Sequence, residues 1–247
     1  MFKRLKLSGA CALLLAAVAA VVQLAAQYIS PEGAGAAQML RRVQLEEAKR
    51  FDPVVVTKIM LGDTVVQKGR FAKPRGEVPD PTISFAAGDD WVQNVSIYLL
   101  NRTDKVIAYQ LLSVDFPDTF VGNTGLFVTL PLGAPPPAFA FNRNGTPSHQ
   151  PPGAQPLSWG PHETIAVHLR DHTDAIRAST GPEGSLATQS RMGVLLSVCY
   201  FADGMGWFSQ YMTWDRENSK WQVVDRNDGP VNPDSFWPGQ PGWSDPL

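Results

Sequence analysis

Gly193-Val194-Leu195-Leu196-Ser197-Val198-Cys199-Tyr200-Phe201, followed at once by Ala202-Asp203-Gly204, is the stretch that decides the fold. In an extended chain Val194, Leu196, Val198 and Tyr200 point to one side, and Leu195, Cys199 and Phe201 to the other. Both faces are apolar, which is what a strand buried in the middle of a sheet requires. Asp203-Gly204 favours positive φ at both turn positions, so the chain should double back as a hairpin. A returning strand over residues 205–214, a turn at 215–220 and a closing strand at 221–224 follow from the same alternation.

Upstream, Val54-Val55-Val56 opens a β-branched run that stops at Gly62-Asp63 and resumes over residues 64–67. Residues 82–85 read as a short strand, and 91–100 alternate, with Val95, Ile97 and Leu99 opposed to Asn94, Ser96 and Tyr98. Asn101-Arg102-Thr103-Asp104 supplies turn chemistry, and residues 106–116 return as a strand that Pro117 ends. From 117 to 161 prolines crowd the chain and deprive it of ladder donors, so this reads as a Pro/Gly-rich insertion with one strand at 126–130. Residues 164–169 form another strand, and Asp171 caps a short helix running to about 179, before Gly181-Pro182. Residues 226–247 are rich in Pro, Gly, Asn and Asp, with Phe236, Trp237 and Trp243 isolated among them, and read as an irregular tail. Short strands, frequent turns and one brief helix make residues 53–225 an all-β, antiparallel sandwich.

The strand–turn–strand of residues 94–116, the Asp203-Gly204-Met205-Gly206-Trp207 turn and the closing Lys220-Trp221 resemble exported bacterial proteins with an immunoglobulin-like β-sandwich domain. The resemblance covers about half the chain. It implies a fold and carries no activity, and the chain departs from it in lacking a strand-bridging disulfide and in its proline-rich insertion.

The N-terminus carries an address. Lys3, Arg4 and Lys6 precede an apolar run from Ala10 to Ala26 interrupted only by Gln23. A helix of that run spans roughly 25 Å, the lower limit for crossing a bilayer. Residues 1–30 therefore read as a signal peptide or a signal-anchor helix. If uncleaved, residues 7–29 hold the chain in the inner membrane with the remainder facing the periplasm or exterior; if cleaved, the protein is secreted. Residues 31–52 read as a linker turning into a short amphipathic helix, in which Met39, Leu40, Val43 and Leu45 alternate with Arg41, Arg42, Glu46, Glu47, Lys49 and Arg50. Pro53 ends it, and its charges read as a solvated stalk.

Chemistry is sparse. A net charge of −2 offers no field for nucleic acid. Cys199 is the only cysteine outside the hydrophobic segment and reads as a buried strand residue. His168 and His172, with Asp171 and Asp174, have metal-ligand spacing, but the end of a strand should separate them. Asp89-Asp90, Asp115 with Asp118, and Asp225 with Asp228 sit in turns, where Asp serves the backbone. No Gly-x-Ser-x-Gly elbow, phosphate loop or His-Glu-x-x-His helix is present, so no catalytic residue, metal or cofactor is expected. The aromatics remain. Trp207 and Tyr211 share one face of the 205–214 strand and Phe208 and Trp214 the other, and only one set can fill the core. Trp207 and Tyr211, with the 131–156 loop, are thus the candidate ligand-binding residues. The expectation is a non-enzymatic interaction or structural module with a protein or glycan partner. The alternatives are a carbohydrate- or ligand-binding module using exposed aromatics and, further off, a hydrolase.

Overall fold

The computed structural model describes residues 39–72, 83–121, 124–134, 155–180, 186–215, 217–218, 220–233, 235, 236 and 238. The hydrophobic segment, the linker to residue 38 and residues 122–123 and 135–154 of the proline-rich stretch lie outside the described residues. Among the described residues no helix is long and apolar enough to cross a membrane.

The chain is all-β. Among the described residues the strands are β1 (Met39–Leu45), β2 (Val54–Leu61), β3 (Thr64–Lys68), β4 (Ser84–Ala87), β5 (Val95–Asn101), β6 (Ile107–Val121), β7 (Thr124–Gly133), β8 (Thr164–His168), β9 (Arg191–Phe201), β10 (Met205–Trp207), β11 (Tyr211–Asp215) and β12 (Lys220–Val223), with one α-helix, α1 (Thr173–Thr180). They form two sheets. One is the antiparallel four-strand row β3-β2-β5-β8; the other has eight strands arranged about β9. A single apolar core joins them: Val54, Val56, Ile59, Val95, Ile97 and Leu99 from the small sheet meet Val43, Leu112, Val114, Phe116, Val194, Cys199 and Phe201 from the large one. Alternation explains the division, since Val95, Ile97 and Leu99 are buried while Ser96 and Tyr98 between them are half-buried.

Several expectations need correcting. Residues 39–45 form strand β1 and not part of a helix; Arg41, Val43 and Leu45 are buried while Leu40, Arg42 and Gln44 are exposed, a period of two. The same residues spaced along a helix look amphipathic, and it is the ladder to β4 and β9 that selects the strand. The sandwich therefore begins before residue 53. It is also not antiparallel throughout, because β1 runs parallel to β9. Arg41 is no stalk charge: it is 0% exposed, and its guanidinium donates to the carbonyls of Gln189, Ala187 (2.8 Å) and Gly88 (3.4 Å) and sits over the Trp91 ring.

Strands β5 and β6 are not a hairpin pair but belong to opposite sheets. The turn between them is a crossover fixed by the buried Asn101 side chain, which donates to the carbonyls of Lys105 (2.9 Å) and Gly160 (2.8 Å) and accepts from Thr103 N–H (3.0 Å) and O–H (2.7 Å). Pro117 does not end β6. It falls where the register with β7 shifts between Phe116 and Phe120, a bulge at which a missing donor does no harm. The strand expected at 126–130 extends to Thr124–Gly133, and it tolerates Pro131 because β7 is an edge strand. The tail is anchored as far as it is described: Val231 bridges Thr103, and Phe236 packs on Val55 and Leu100 behind the small sheet.

Removing β1 uncovers the edge of β9 and the core beneath Val43 and Leu45, two side chains worth roughly 1.5–3 kcal/mol each when fully buried. A chain starting at residue 52 should therefore lose its cooperative thermal transition by circular dichroism, whereas one starting at residue 38 should keep it. Equal melting curves for the two would show that β1 is dispensable.

Candidate functional site

The site arises from how β9 is flanked. On one edge β6 accompanies it along its length, from Asp115↔Gly193 to Ile107↔Phe201. The other edge is shared by two strands. β1 pairs from Arg42↔Arg191 to Leu45↔Val194, and β10 takes over only at Trp207↔Cys199 and Gly206↔Tyr200. Between them, Leu195 to Val198 has no described strand on that side. Here β9 also carries a bulge: Leu111 faces Val198 and Leu112 faces Leu196, so Ser197 is the extra residue, and its hydroxyl donates to the Leu111 carbonyl (3.3 Å). The bulge shifts the phase, so that Val194 before it and Cys199 and Phe201 after it all reach the core.

A cleft of about 270 Å³ occupies the gap. Its walls are Leu195, Leu196 and Ser197 of β9, Val54 to Val56 of β2, and Trp207; its rim is the connector from β1 to β2, with Glu46, Glu47, Lys49 and Asp52, together with Arg70. The rim is braced. Arg70 donates to Glu47 (3.0 Å) and to the Leu45 carbonyl (3.3 Å), and Ala48 and Phe71 form a short parallel bridge. The Asp52 carboxylate accepts from Lys49 N–H (2.7 Å), and burial raises its pKa above the ordinary carboxylate value. Behind the rim, Arg102 is buried with its guanidinium donating to the carbonyls of Arg50 (2.8 Å), Asp52 (3.1 Å) and Phe236 (3.0 Å). Burial lowers its pKa to about 10, which leaves it cationic at neutral pH.

Of the two ligand residues expected from the sequence, the structure brings one to the cleft. Trp207 and Tyr211 are cross-strand partners of β10 and β11 and share the inward face. Trp207 is half-buried and lines the cleft. Tyr211 is 1% exposed, with its hydroxyl donating to the Phe51 carbonyl at 2.6 Å and its phenol pKa pushed far up by burial. Its work is to tie β11 to the rim. The opposite face holds an aromatic cluster that the sequence did not single out. Tyr200 stacks on Tyr109 (5.7 Å between centroids) and Trp221 (6.3 Å) and meets Phe208 edge-on (5.4 Å). Gly206 is its floor, since a Cβ there would come within 3.0 Å of Phe208 and 3.2 Å of Tyr200. A glycine opposite a tyrosine in a hairpin is the signal that could have found it.

The other candidates have structural roles. His168 Nδ1 is 2.7 Å from the Ser96 hydroxyl on the outward face of the small sheet. His172 closes a 3-10 turn before α1, its pKa lowered by burial, and His162 stacks on Phe236 at 3.9 Å. Asp118 accepts from Ser190, from Arg191 N–H and doubly from the Arg191 guanidinium, and Asp225 caps the following turn through Asn227 N–H (2.9 Å). Cys199 is fully buried, which pushes its thiol pKa up. Among the described residues no group of three metal-ligating side chains converges. Comparison with protein-family models, with curated proteins and with solved structures finds no match.

Burial within the aromatic cluster raises the Tyr200 pKa from 10.0 to about 12. Between those values the unfolded chain has lost a proton that the folded one keeps, so stability should fall as pH rises from 10 to 12. Tyr200→Phe should flatten that slope in denaturant titrations run across this range; an unchanged slope would show that the phenol is solvated.

Proposed function

We propose that this chain is a non-enzymatic interaction module of the cell envelope, an immunoglobulin-like sandwich carried outside the cytoplasm on its N-terminal segment, and that it binds its partner in the cleft at Trp207. The observation that carries this reading is the interrupted strand row beside β9, where a half-buried indole lines a cleft and charged side chains ring it. A cleft of this size is slightly smaller than usual small-molecule pockets of roughly 300–1,000 Å³, which suits one side chain or a compact group of a larger partner. The immunoglobulin-like assignment draws support from the passage of the chain between sheets at residues 101–107. The export assignment draws support from the basic start followed by an apolar run.

Glycan binding is the second reading, favoured by the half-buried rings of Tyr109, Tyr200, Phe208 and Trp221 on the outer face. Against it, those rings pack on one another, so the flat faces a sugar would stack on are partly used within the cluster.

The full chain in detergent, screened on peptide and glycan arrays, separates the two. A Trp207→Ala variant should weaken the bound partner by about tenfold or more, as expected for a central aromatic anchor, while Phe208→Ala leaves affinity unchanged. Loss of glycan binding in Phe208→Ala with Trp207→Ala silent would move the site to the outer face.

A further inference from the structure

We propose that the cleft receives an extended peptide segment, which adds as a short strand to the edge of β9 at Leu195 to Val198 and sets a basic side chain against Trp207; this rests on the preceding reading of the cleft as the binding site.

The backbone argument comes first. An unpaired strand edge presents donors and acceptors spaced for another extended chain. Edges are normally found at the margin of a sheet. Among the described residues the gap lies within one, bounded by the end of β1 at Leu45 and the start of β10 opposite Cys199. The four residues from Leu195 to Val198 span roughly 13 Å at about 3.3 Å per residue, room for a segment of about four residues. Strand addition of this kind takes affinity from main-chain hydrogen bonds and specificity from pockets that accept alternate side chains.

The side-chain argument selects the charge. Glu46, Glu47 and Asp52 face Lys49 and Arg70 around the cleft, and Arg70 is committed to Glu47. Asp52 is balanced by Lys49 and by the buried Arg102 behind the rim. That leaves Glu46, among the described residues, as the carboxylate without a cation of its own, so a lysine or arginine placed beside it meets an attraction and a glutamate a repulsion. An indole wall strengthens that preference, because a cation is attracted to the negative face of an aromatic ring.

The test uses acetylated and amidated hexapeptides of the form Ala-Val-X-Val-Ala-Ala, with X as arginine, glutamine or glutamate, titrated into the full chain in detergent by calorimetry. The arginine peptide should bind at least tenfold tighter than the glutamate peptide. Methylating the backbone nitrogen of X should cost a further tenfold. Hydrogen exchange should slow over residues 195–198 when the arginine peptide is bound. Glu46→Gln, a change at an exposed rim position, should narrow the arginine–glutamate difference without altering the melting temperature. Trp207→Phe should retain binding where Trp207→Ala loses it. Equal affinity for the methylated peptide, no charge preference, or no binding by any of the three would overturn the strand-addition proposal. If a different ligand then binds in a Trp207-dependent way, the cleft reading survives without it; if Trp207→Ala alters no ligand, the cleft reading fails as well.

Discussion

Strand β9 is paired along the whole of one edge and at both ends of the other, and the arrangement of the molecule depends on that. A strand with apolar side chains on alternating sides and a bulge at its middle cannot stand at a sheet margin without leaving its edge to water or to another chain. One edge is satisfied by β6, laid down earlier in sequence. The other is satisfied from both ends of the chain, by β1 and by the hairpin that brings back β10. Two short strands approaching one long edge from opposite ends meet imperfectly. The cleft is the space they leave.

Two buried arginines hold the loops that this arrangement creates. Arg41 gathers the carbonyls of Gly88, Ala187 and Gln189 around β1, and Trp91 donates to the same Gln189 carbonyl at 3.1 Å. Arg102 gathers the carbonyls of Arg50, Asp52, Ser235 and Phe236, fastening the cleft rim and the C-terminal segment to the crossover between sheets. A guanidinium can satisfy several carbonyls in one plane, which suits it to loop ends with no ladder of their own. Burying it unpaired would be costly, so each arginine fixes the loops it touches.

These features divide what could be read from the chain from what could not. Alternation in Val95-Ser96-Ile97-Tyr98-Leu99 and the Asp203-Gly204 turn are local signals, and they located β5 and the β9–β10 hairpin. Trp91–Asn94, however, form a 3-10 turn before β5, and the single strand expected at 205–214 is two, β10 and β11, paired about a turn at 208–210. Residues 39–45 carry charges at positions that fit either period, and only the non-local ladder to β9 makes Arg41 an inward residue. Partner choice is likewise non-local: nothing within residues 94–116 says that the two strands separate into different sheets. Trp207 could be nominated from its strand. The cleft could not, because it depends on where β1 stops and β10 starts along a third strand.

The central claim is that β1 is an interior strand of the large sheet, and hydrogen–deuterium exchange of the full chain measures this directly. Amides of residues 41–45 should exchange as slowly as those of residues 110–114 in β6, over hours and not seconds. Exchange of residues 41–45 within seconds, with β6 still protected, would place them outside the sheet and contradict the account of β9, the cleft and the ligand together.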